Sequence, residues 1–294
     1  MKQLSYIITG PTASGKTDFA HAFAKQVFGT IINADSVQVY RGIENLSASP
    51  LAEGLQNDGI PYRLYSITEP AAPLSAGTWA KMARAEYDDA IASGRVPIFV
   101  GGAGFYLRAL LTGFSEIPAV SAENRQRAAA FGFADLQKID PVWAAKINPN
   151  DRQRITRGVE VFLQTGRPLS QWQSAPNVPV LPAPPKVILI LPPREIVLQR
   201  IATRMTALNK NAEMEVRGIM NLPDNLPIKR ADGVAEISKY LRGEIPKDAA
   251  LELWRRKIER GNAKRQYTWF RTQLKPDAVI NNIPTEMDLC SVMQ

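Results

Sequence analysis

The sequence predicts an α/β fold with a P-loop NTPase-like parallel sheet covered by helices and a helical insertion domain. Three observations predict it. The segment "GPTASGKT", beginning at Gly10, lies between an apolar run and a helical pattern. Further apolar runs then alternate with helical patterns, as in parallel sheets with crossover helices. A last apolar run, "KVILIL", follows only after a long basic detour.

The individual elements follow the same order along the chain. "YIITG" predicts the first strand, and "DFAHAFAKQVF", from Asp18, predicts the helix after it. "GTIINADS" predicts a second strand that ends in a carboxylate, Asp35. "YRLYSI" is a weaker strand signal, "GTWAKMARAEYDDAIASG" an amphipathic helix and "RVPIFVGG" a strong strand. Ligands of such sheets bind at the carboxyl ends of the strands, where Asp35 is expected.

The chain is predicted to consist of three segments. Residues 1–112 form the first part of the P-loop core, 113–185 form a helical insertion, and 186–294 complete the core with basic C-terminal helices. The insertion closes with "SAPNVPVLPAPP", a proline-rich stretch that is typical of a stiff connector.

The glycine-rich segment predicts a phosphate-binding loop. It matches glycine, any four residues, glycine, lysine and then serine or threonine. Its backbone amides and the following helix N-terminus would surround an anion, Lys16 would reach the terminal phosphate oxygens, and the Thr17 hydroxyl would ligate Mg²⁺. The predicted phosphate-binding residues are Gly10, Thr12, Ala13, Ser14, Gly15, Lys16 and Thr17.

Composition restricts the possible partners and chemistry. The net charge of +8 and pI of about 9.6 suit a polyanionic partner. The single cysteine, Cys290, excludes an intrachain disulfide, and the single histidine, His21, is expected at an ordinary helical position. No apolar run approaches a membrane span, and the N-terminus lacks a signal-peptide pattern. We therefore expect a cytoplasmic monomer that does not bind membranes.

The residues alone leave the role of Asp35 open. ATP-hydrolysing relatives usually carry a second aspartate at a strand end to help hold Mg²⁺. The strong strand "RVPIFVGG" ends in glycines instead. Asp35 could act as the partner of a metal ligand, as a general base or as a turn cap.

Five segments together resemble one family. They are "GPTASGKT", "ADSVQVYRG", "VPIFVGGAGFYLRALLTG", "INPNDRQRITRGVEVFLQTGRPLS" and "NAKRQYTWFR". In this order they resemble the tRNA dimethylallyltransferases, also called tRNA isopentenyltransferases, over nearly the whole chain.

The resemblance implies a substrate for the loop and roles for its neighbours. The loop would bind the diphosphate of dimethylallyl diphosphate with Mg²⁺, and the allyl group would move to N6 of the adenosine 3′ to the anticodon of tRNA. By matching motif positions, Asp35 would be the general base, while Ser36, Val37 and Gln38 would frame the flipped adenine. Arg217, in "EMEVRGIM", would join Lys16 on the leaving group.

The resemblance also places tRNA contacts. The residues implied to contact the anticodon arm or target base are Ala103, Arg125, Gln153, Arg154, Ile155, Thr156 and Arg157. Ala103 departs from the family, which usually carries threonine there. Without the resemblance, the insertion arginines would be read as the solvated face of a helix.

The C-terminal segment from Leu253 to Arg271 is predicted to be a helix. Arg256, Arg260 and Lys264 recur at four-residue spacing, which predicts one basic stripe. Gly261 and its neighbour weaken the middle of this helix.

Other functional classes stay open at this stage. They are an adenylate isopentenyltransferase acting on free nucleotides, a weakly active or non-catalytic tRNA-binding relative, and a P-loop small-molecule kinase. The basic insertion argues against the first, because a small substrate does not need it. The missing second aspartate argues against the kinase.

Overall fold

The chain divides into two compact units. The first comprises Met1–Leu111 and Leu181–Gln294, and the second is Thr112–Val180. The computed structural model describes residues 4–72, 74–113, 115, 117–205 and 210–293. The sequence placed the end of the insertion at residue 185, but the second unit ends at Val180. Leu181, which is 4% exposed, already belongs to the first unit.

The first unit is built around a six-stranded sheet in the order β3-β2-β4-β1-β5-β6. Every neighbouring pair is parallel, which confirms the predicted parallel sheet. The strands are β1 Tyr6–Thr9, β2 Gly29–Asn33, β3 Tyr62–Arg63, β4 Val96–Gly101, β5 Lys186–Ile190 and β6 Ala278–Ile280. Because β1 lies between β4 and β5, the loop that follows it leaves from the middle of the sheet.

Helices account for most of the remaining structure. In chain order they are α1 Lys16–Val27, α2 Ala76–Ala92, α3 Gly104–Thr112, α4 Ala122–Ala128, α5 Phe133–Ile139, α6 Pro141–Ala144, α7 Arg152–Thr165, α8 Leu169–Ser174, α9 Arg194–Met205, α10 Lys210–Ile219, α11 Val234–Leu241, α12 Lys247–Lys257, α13 Lys264–Gln273 and α14 Glu286–Met293. Short 3₁₀ turns cover Leu55–Asp58 and Pro227–Arg230. Within the residues described, none of the helices combines the length and the apolar character needed to cross a membrane.

The central strands are rigidly packed. Ile8 of β1, Ile98 of β4 and Ile188 of β5 belong to one buried cluster. Phe19 and Phe23 of α1 pack into the same cluster, and full burial of each such side chain is worth about 1.5–3 kcal/mol. The strand ends that carry the phosphate loop and Asp35 are therefore held by the core.

Three local features differ from the expectation. β3 is only two residues long, because Leu64 and Ser66 have positive φ angles of 62° and 49° that end the extended backbone. β6 is an edge strand of three residues that the sequence did not predict. The C-terminal helix is interrupted by a π-helical turn at Ile258–Ala263, which includes the weak position Gly261.

The second unit consists of short helices around its own core. This core contains Leu136, Ile147, Ile155 and Val159. α7 begins at the capping side chain of Asp151, which accepts the Arg154 amide at 3.1 Å.

Candidate active site

The phosphate loop joins β1 to α1. A Cβ at Gly10 would lie 2.3 Å from the Ile190 carbonyl oxygen, so only glycine fits there. Gly15 has a φ of 87° and lies at the N-cap of α1, where it offers no side chain to cap the helix. Ala13 also has a positive φ, 61°. Such backbone strain costs an alanine about 1–2 kcal/mol and is common at functional sites.

The side chains of the loop differ in what they can offer a ligand. Lys16 is half-buried and its Nζ lies 3.3 Å from the Pro11 carbonyl oxygen, so the ammonium group lies against the loop. The half-buried Thr17 hydroxyl makes no hydrogen bond within the described residues. Ser14 is fully buried, and its hydroxyl has no hydrogen-bond partner there. A ligand would therefore meet the Ser14 main chain and not its hydroxyl.

Asp35 is positioned by the residue that ends β2. The buried Asn33 accepts the Asp35 amide at Oδ1 (2.8 Å) and donates from Nδ2 to the Asp35 carbonyl (3.1 Å). Nδ2 also donates to the Leu64 carbonyl at 3.0 Å. The Asn33 carbonyl in turn accepts the indole N–H of Trp79 at 3.1 Å. The backbone of Asp35 is thus tied to the core.

The carboxylate of Asp35 is held at one oxygen. Its Oδ1 accepts the Val37 amide at 2.8 Å, which is an Asx-type turn. Its Oδ2 makes no hydrogen bond within the described residues. The carboxylate is therefore oriented by one oxygen and keeps the other for a proton.

The ends of β1, β2 and β4 approach closely because of two glycines. A Cβ at Gly101 would lie 2.2 Å from the carbonyl of Ala34, and one at Gly102 would lie 3.1 Å from the Gly10 carbonyl oxygen. Ala103 follows directly, and its amide donates to the Ala34 carbonyl at 3.3 Å. This packing places Ala103 beside the segment that carries Asp35.

A cavity of about 550 Å³ lies over these strand ends. Six predicted site residues line it together: Thr12, Ala13, Asp35, Ser36, Val37 and Ala103. Trp254 of α12 and Gln266 and Trp269 of α13 also line it. The cavity therefore combines the phosphate loop, a carboxylate and aromatic side chains.

The tyrosines near Asp35 are not alternative bases. Burial raises the pKa of Tyr106, and the neighbouring charges of Tyr40 and Asp35 raise it further. Burial likewise raises the pKa of Tyr65 well above its ordinary value. Both phenols stay protonated at neutral pH, so neither can accept a proton in place of Asp35.

Comparison with known proteins identifies the family. The family model described as IPP transferase matches residues 38–273, and the model described as isopentenyl transferase matches residues 3–70. A tRNA dimethylallyltransferase of Parvibaculum lavamentivorans is 39% identical over 91% of this chain and 88% of its own length. The chain belongs to the tRNA dimethylallyltransferase family. This confirms the resemblance found in the sequence motifs.

Other members of the family agree in sequence and structure. The tRNA dimethylallyltransferase of Methylocella silvestris is 40% identical over 93% of each chain. The crystal structure of the full-length tRNA isopentenylpyrophosphate transferase from Bacillus halodurans has a TM-score of 0.70 and 28% identity, covering 99% of this chain and 94% of the other. The P-loop-like fold is therefore shared with the dimethylallyltransferases.

Several predicted site residues do not line the cavity, among them Lys16 and Thr17 of the phosphate loop, Gln38 and Arg217. Gln38 donates from Nε2 to the carbonyls of Ser47 (3.1 Å) and Ala48 (3.0 Å), so it supports a neighbouring loop. Arg217 is exposed on α10, whose buried face carries Val216 and Ile219. Its role on the leaving group stays a prediction.

In this family member, the insertion residues divide into a core and a surface group. Ile155 is only 3% exposed because it packs in the core of the second unit, so its side chain is not at the surface for tRNA. Arg125, Gln153 and Arg154 are exposed, and Thr156 and Arg157 are half-buried. The tRNA contacts of these five residues stay predictions.

The insertion arginines also have partners of their own. Arg154 forms an ion pair with Asp151 at 3.2 Å, and Arg157 forms one with Glu160 at 3.3 Å. Arg152 donates to the carbonyls of Ala129 and Phe131, which is a structural role. The Arg154–Asp151 pair is the more exposed of the two, and such a pair contributes little stability, so Arg154 can change partners at a small cost in free energy.

The C-terminal motif of the dimethylallyltransferases contributes more to the cavity than the sequence indicated. Arg265, Gln266 and Trp269 line it, as does Arg108 of α3. A signal was present in the motif "AKRQYTWFR", but spacing alone indicated only a helix with a basic stripe. These residues reach the cavity because α13 packs against the strand ends, where Gln266 contacts Thr12 and Gly102.

The predicted basic stripe is rearranged in the structure. Arg256 and Arg260 line a separate groove together with Lys239 and Lys257, whereas Lys264 does not line it. The π-helical turn between Arg256 and Lys264 breaks the helical spacing on which the stripe was predicted. The groove remains strongly basic, with Glu236 as its acidic lining residue among those described.

Proposed function

We propose that the protein transfers the dimethylallyl group of dimethylallyl diphosphate to N6 of the adenosine 3′ to the anticodon in tRNA. The observation that carries this proposal is that Thr12 and Ala13 of the phosphate loop line the same cavity as Asp35. A diphosphate at the loop would place its allyl group toward the carboxylate. Family membership supplies the substrate class.

The bond changes in this reaction balance as a substitution. The N6 lone pair forms a bond to the allylic carbon, and the bond from that carbon to the diphosphate oxygen breaks with its electron pair. The proton of N6 passes to Oδ2 of Asp35, which makes no hydrogen bond within the described residues and is kept in place through the Val37 amide. Such general-base catalysis contributes typically about 10²–10⁴-fold.

The departing diphosphate needs charge stabilisation. Lys16 and the backbone amides at the start of α1 would supply it, because a helix N-terminus and a preorganised cation favour developing negative charge. Arg217 is proposed to join them when substrate is bound.

Mg²⁺ is the proposed metal ion, and the residues fit it. Among the described residues no cluster of three or more metal-binding side chains occurs. Mg²⁺ usually keeps several waters and binds through one or two protein ligands and substrate phosphates, so no such cluster is needed. The Thr17 hydroxyl is a suitable protein ligand. When bound, the ion would neutralise charge on the diphosphate.

Binding of tRNA is proposed to use the basic surfaces. The exposed insertion arginines and the groove formed by Lys239, Arg256, Lys257 and Arg260 offer cations to phosphates. The adenine would have to leave its stack to reach the cavity, as in other enzymes that modify a base. A monomeric state and a cytoplasmic location stay predictions.

The decisive experiment combines the proposed substrates. The protein is incubated with dimethylallyl diphosphate, Mg²⁺ and unmodified tRNA, and the tRNA nucleosides are analysed by mass. We expect adenosine that carries one dimethylallyl group, and we expect it to form in the absence of ATP. A parallel reaction contains AMP as well as tRNA. Prenylated AMP as its main product, or stoichiometric ATP hydrolysis coupled to product formation, would contradict the proposal.

A matched pair of lysine variants tests the phosphate loop. Lys16→Ala should strongly weaken binding of dimethylallyl diphosphate, measured by calorimetry. Lys25→Ala, on the same helix but paired with Asp58 at 2.8 Å, should leave binding unchanged. Equal affinity of the two variants would contradict the assignment of the loop.

A further inference from the structure

Gln266 connects two strand ends of the candidate active site. It is half-buried on α13 and lines the cavity. Its Oε1 accepts the Thr12 amide at 3.0 Å, and its Nε2 donates to the Gly102 carbonyl at 3.2 Å. A primary amide suits this position because it both donates and accepts.

The two groups that Gln266 holds belong to opposite sides of the proposed reaction. Thr12 is part of the phosphate loop after β1, which would carry the leaving diphosphate. Gly102 follows β4 and directly precedes Ala103, beside the segment of Asp35. A Cβ at Gly102 would lie 2.8 Å from Gln266 Nε2 and 3.1 Å from the Gly10 carbonyl oxygen. The loop, the β4 end and Gln266 therefore form one tightly packed junction.

We propose that Gln266 is a positioning residue that fixes the separation between the leaving diphosphate and the Asp35 carboxylate. This rests on the proposed function. Gln266 acts through the main chains of Thr12 and Gly102, to which its amide is hydrogen-bonded. A reacting geometry is sensitive to such support, since a displacement of about 1 Å can cost about 100-fold in rate. Loss of Gln266 should therefore slow transfer more than it weakens binding.

The first test compares Gln266→Leu with Gln273→Leu. Leucine keeps much of the side-chain volume but makes neither hydrogen bond, and Gln273 is an exposed glutamine on the same helix. We expect Gln266→Leu to lower the single-turnover rate at saturating substrates by about 10- to 100-fold. Its affinities for dimethylallyl diphosphate and tRNA, measured by calorimetry and filter binding, should stay within about threefold. The control should match the parent.

The second test asks whether Gln266 acts together with Asp35. Gln266→Leu is combined with Asp35→Asn, which removes the proton acceptor. If Gln266 positions that acceptor, Gln266→Leu should lower the single-turnover rate much less in the Asp35→Asn variant than in the parent enzyme. If the leucine variant fails to fold, Gln266→Glu replaces it in both tests. It keeps the acceptor for Thr12 but loses the donor to Gly102, and it is measured at saturating dimethylallyl diphosphate.

Defined outcomes overturn the inference. They are a parental rate in Gln266→Leu, a loss confined to substrate affinity, or full additivity with Asp35→Asn. A parent enzyme that transfers no dimethylallyl group to tRNA would instead refute the proposed function, so the two failures are distinguishable.

Discussion

The main-chain amide of Val37 donates a 2.8 Å hydrogen bond to Oδ1 of Asp35, while the other carboxylate oxygen makes no hydrogen bond within the described residues. The sequence left three interpretations of this aspartate open, and two of them were a turn cap and a general base. One oxygen satisfies the first reading, and the second oxygen is available for the other. The turn thereby orients the proposed base and leaves its second carboxylate oxygen available to accept a proton.

This arrangement predicts the effect of Asp35→Asn. Asparagine can still accept the Val37 amide, so the turn should persist, but it cannot take the N6 proton. We expect the single-turnover rate to fall by about 10²–10⁴-fold with little change in the affinity for either substrate. Rapid-quench assays measure the rate. Asp18→Asn, on the exposed surface of α1, is the matched control and should retain parental activity. A parental rate in Asp35→Asn would leave Asp35 as a turn cap only.

The support beneath Asp35 predicts a stability effect. Asn33→Ala removes three side-chain hydrogen bonds and leaves the Asp35 amide and two carbonyls without these partners. Because the site is buried, we expect the free energy of unfolding to fall by about 1–3 kcal/mol, measured by urea denaturation. The exposed Asn57→Ala should change it by less than about 0.5 kcal/mol. Equal stabilities of the two variants would mean that water replaces the lost partners.

The position of Asp35 at the site could be predicted from the sequence, whereas the supporting role of Asn33 could not. Asp35 follows an apolar run, and a polar residue at the end of a parallel strand is a recognised ligand position. Asn33 belongs to the run itself, and nothing local reveals that its side chain turns toward residues 35 and 64. Gln266 is harder still, because its two partners lie more than 160 residues away in the chain. Local patterns predicted the phosphate loop and most strands, while contacts across such distances required the structure.

The insertion predicts a measurable salt effect. Arg154→Ala combined with Arg157→Ala should weaken tRNA binding and reduce the slope of log affinity against log salt by about 1–2, since each phosphate contact contributes about 0.7–0.9. Dimethylallyl diphosphate binding should not change. Filter binding over a salt series measures the slope. Lys138→Ala with Lys146→Ala removes the same charge from exposed positions of the same unit and should keep the parental slope. Identical slopes in the two double variants would indicate that the arginines only form a solvated helix face and do not contact tRNA phosphates.

The last prediction concerns Ala103, where the family usually carries threonine. Ala103 is half-buried and lines the cavity, so we expect the methyl and hydroxyl groups of a threonine to fit there. Two destinations for the hydroxyl are open. It can face the reacting groups, or it can cap α3, because the Ala103 carbonyl already accepts the Leu107 amide at 3.0 Å in the manner of an N-cap residue.

Ala103→Val separates these destinations, because valine has nearly the shape of threonine without the hydroxyl. If the hydroxyl faces the reaction, Ala103→Thr should transfer the allyl group at least as fast as the parent and about two- to tenfold faster than Ala103→Val, as expected for one hydrogen bond of about 0.5–1.5 kcal/mol. If the hydroxyl caps α3, the free energy of unfolding measured with urea should be about 1 kcal/mol higher for Ala103→Thr than for Ala103→Val. The transfer rates of the two variants should then be equal. We expect the first result. Equal rates in the two variants, measured under single-turnover conditions, would show that the cavity does not use a hydroxyl at this position.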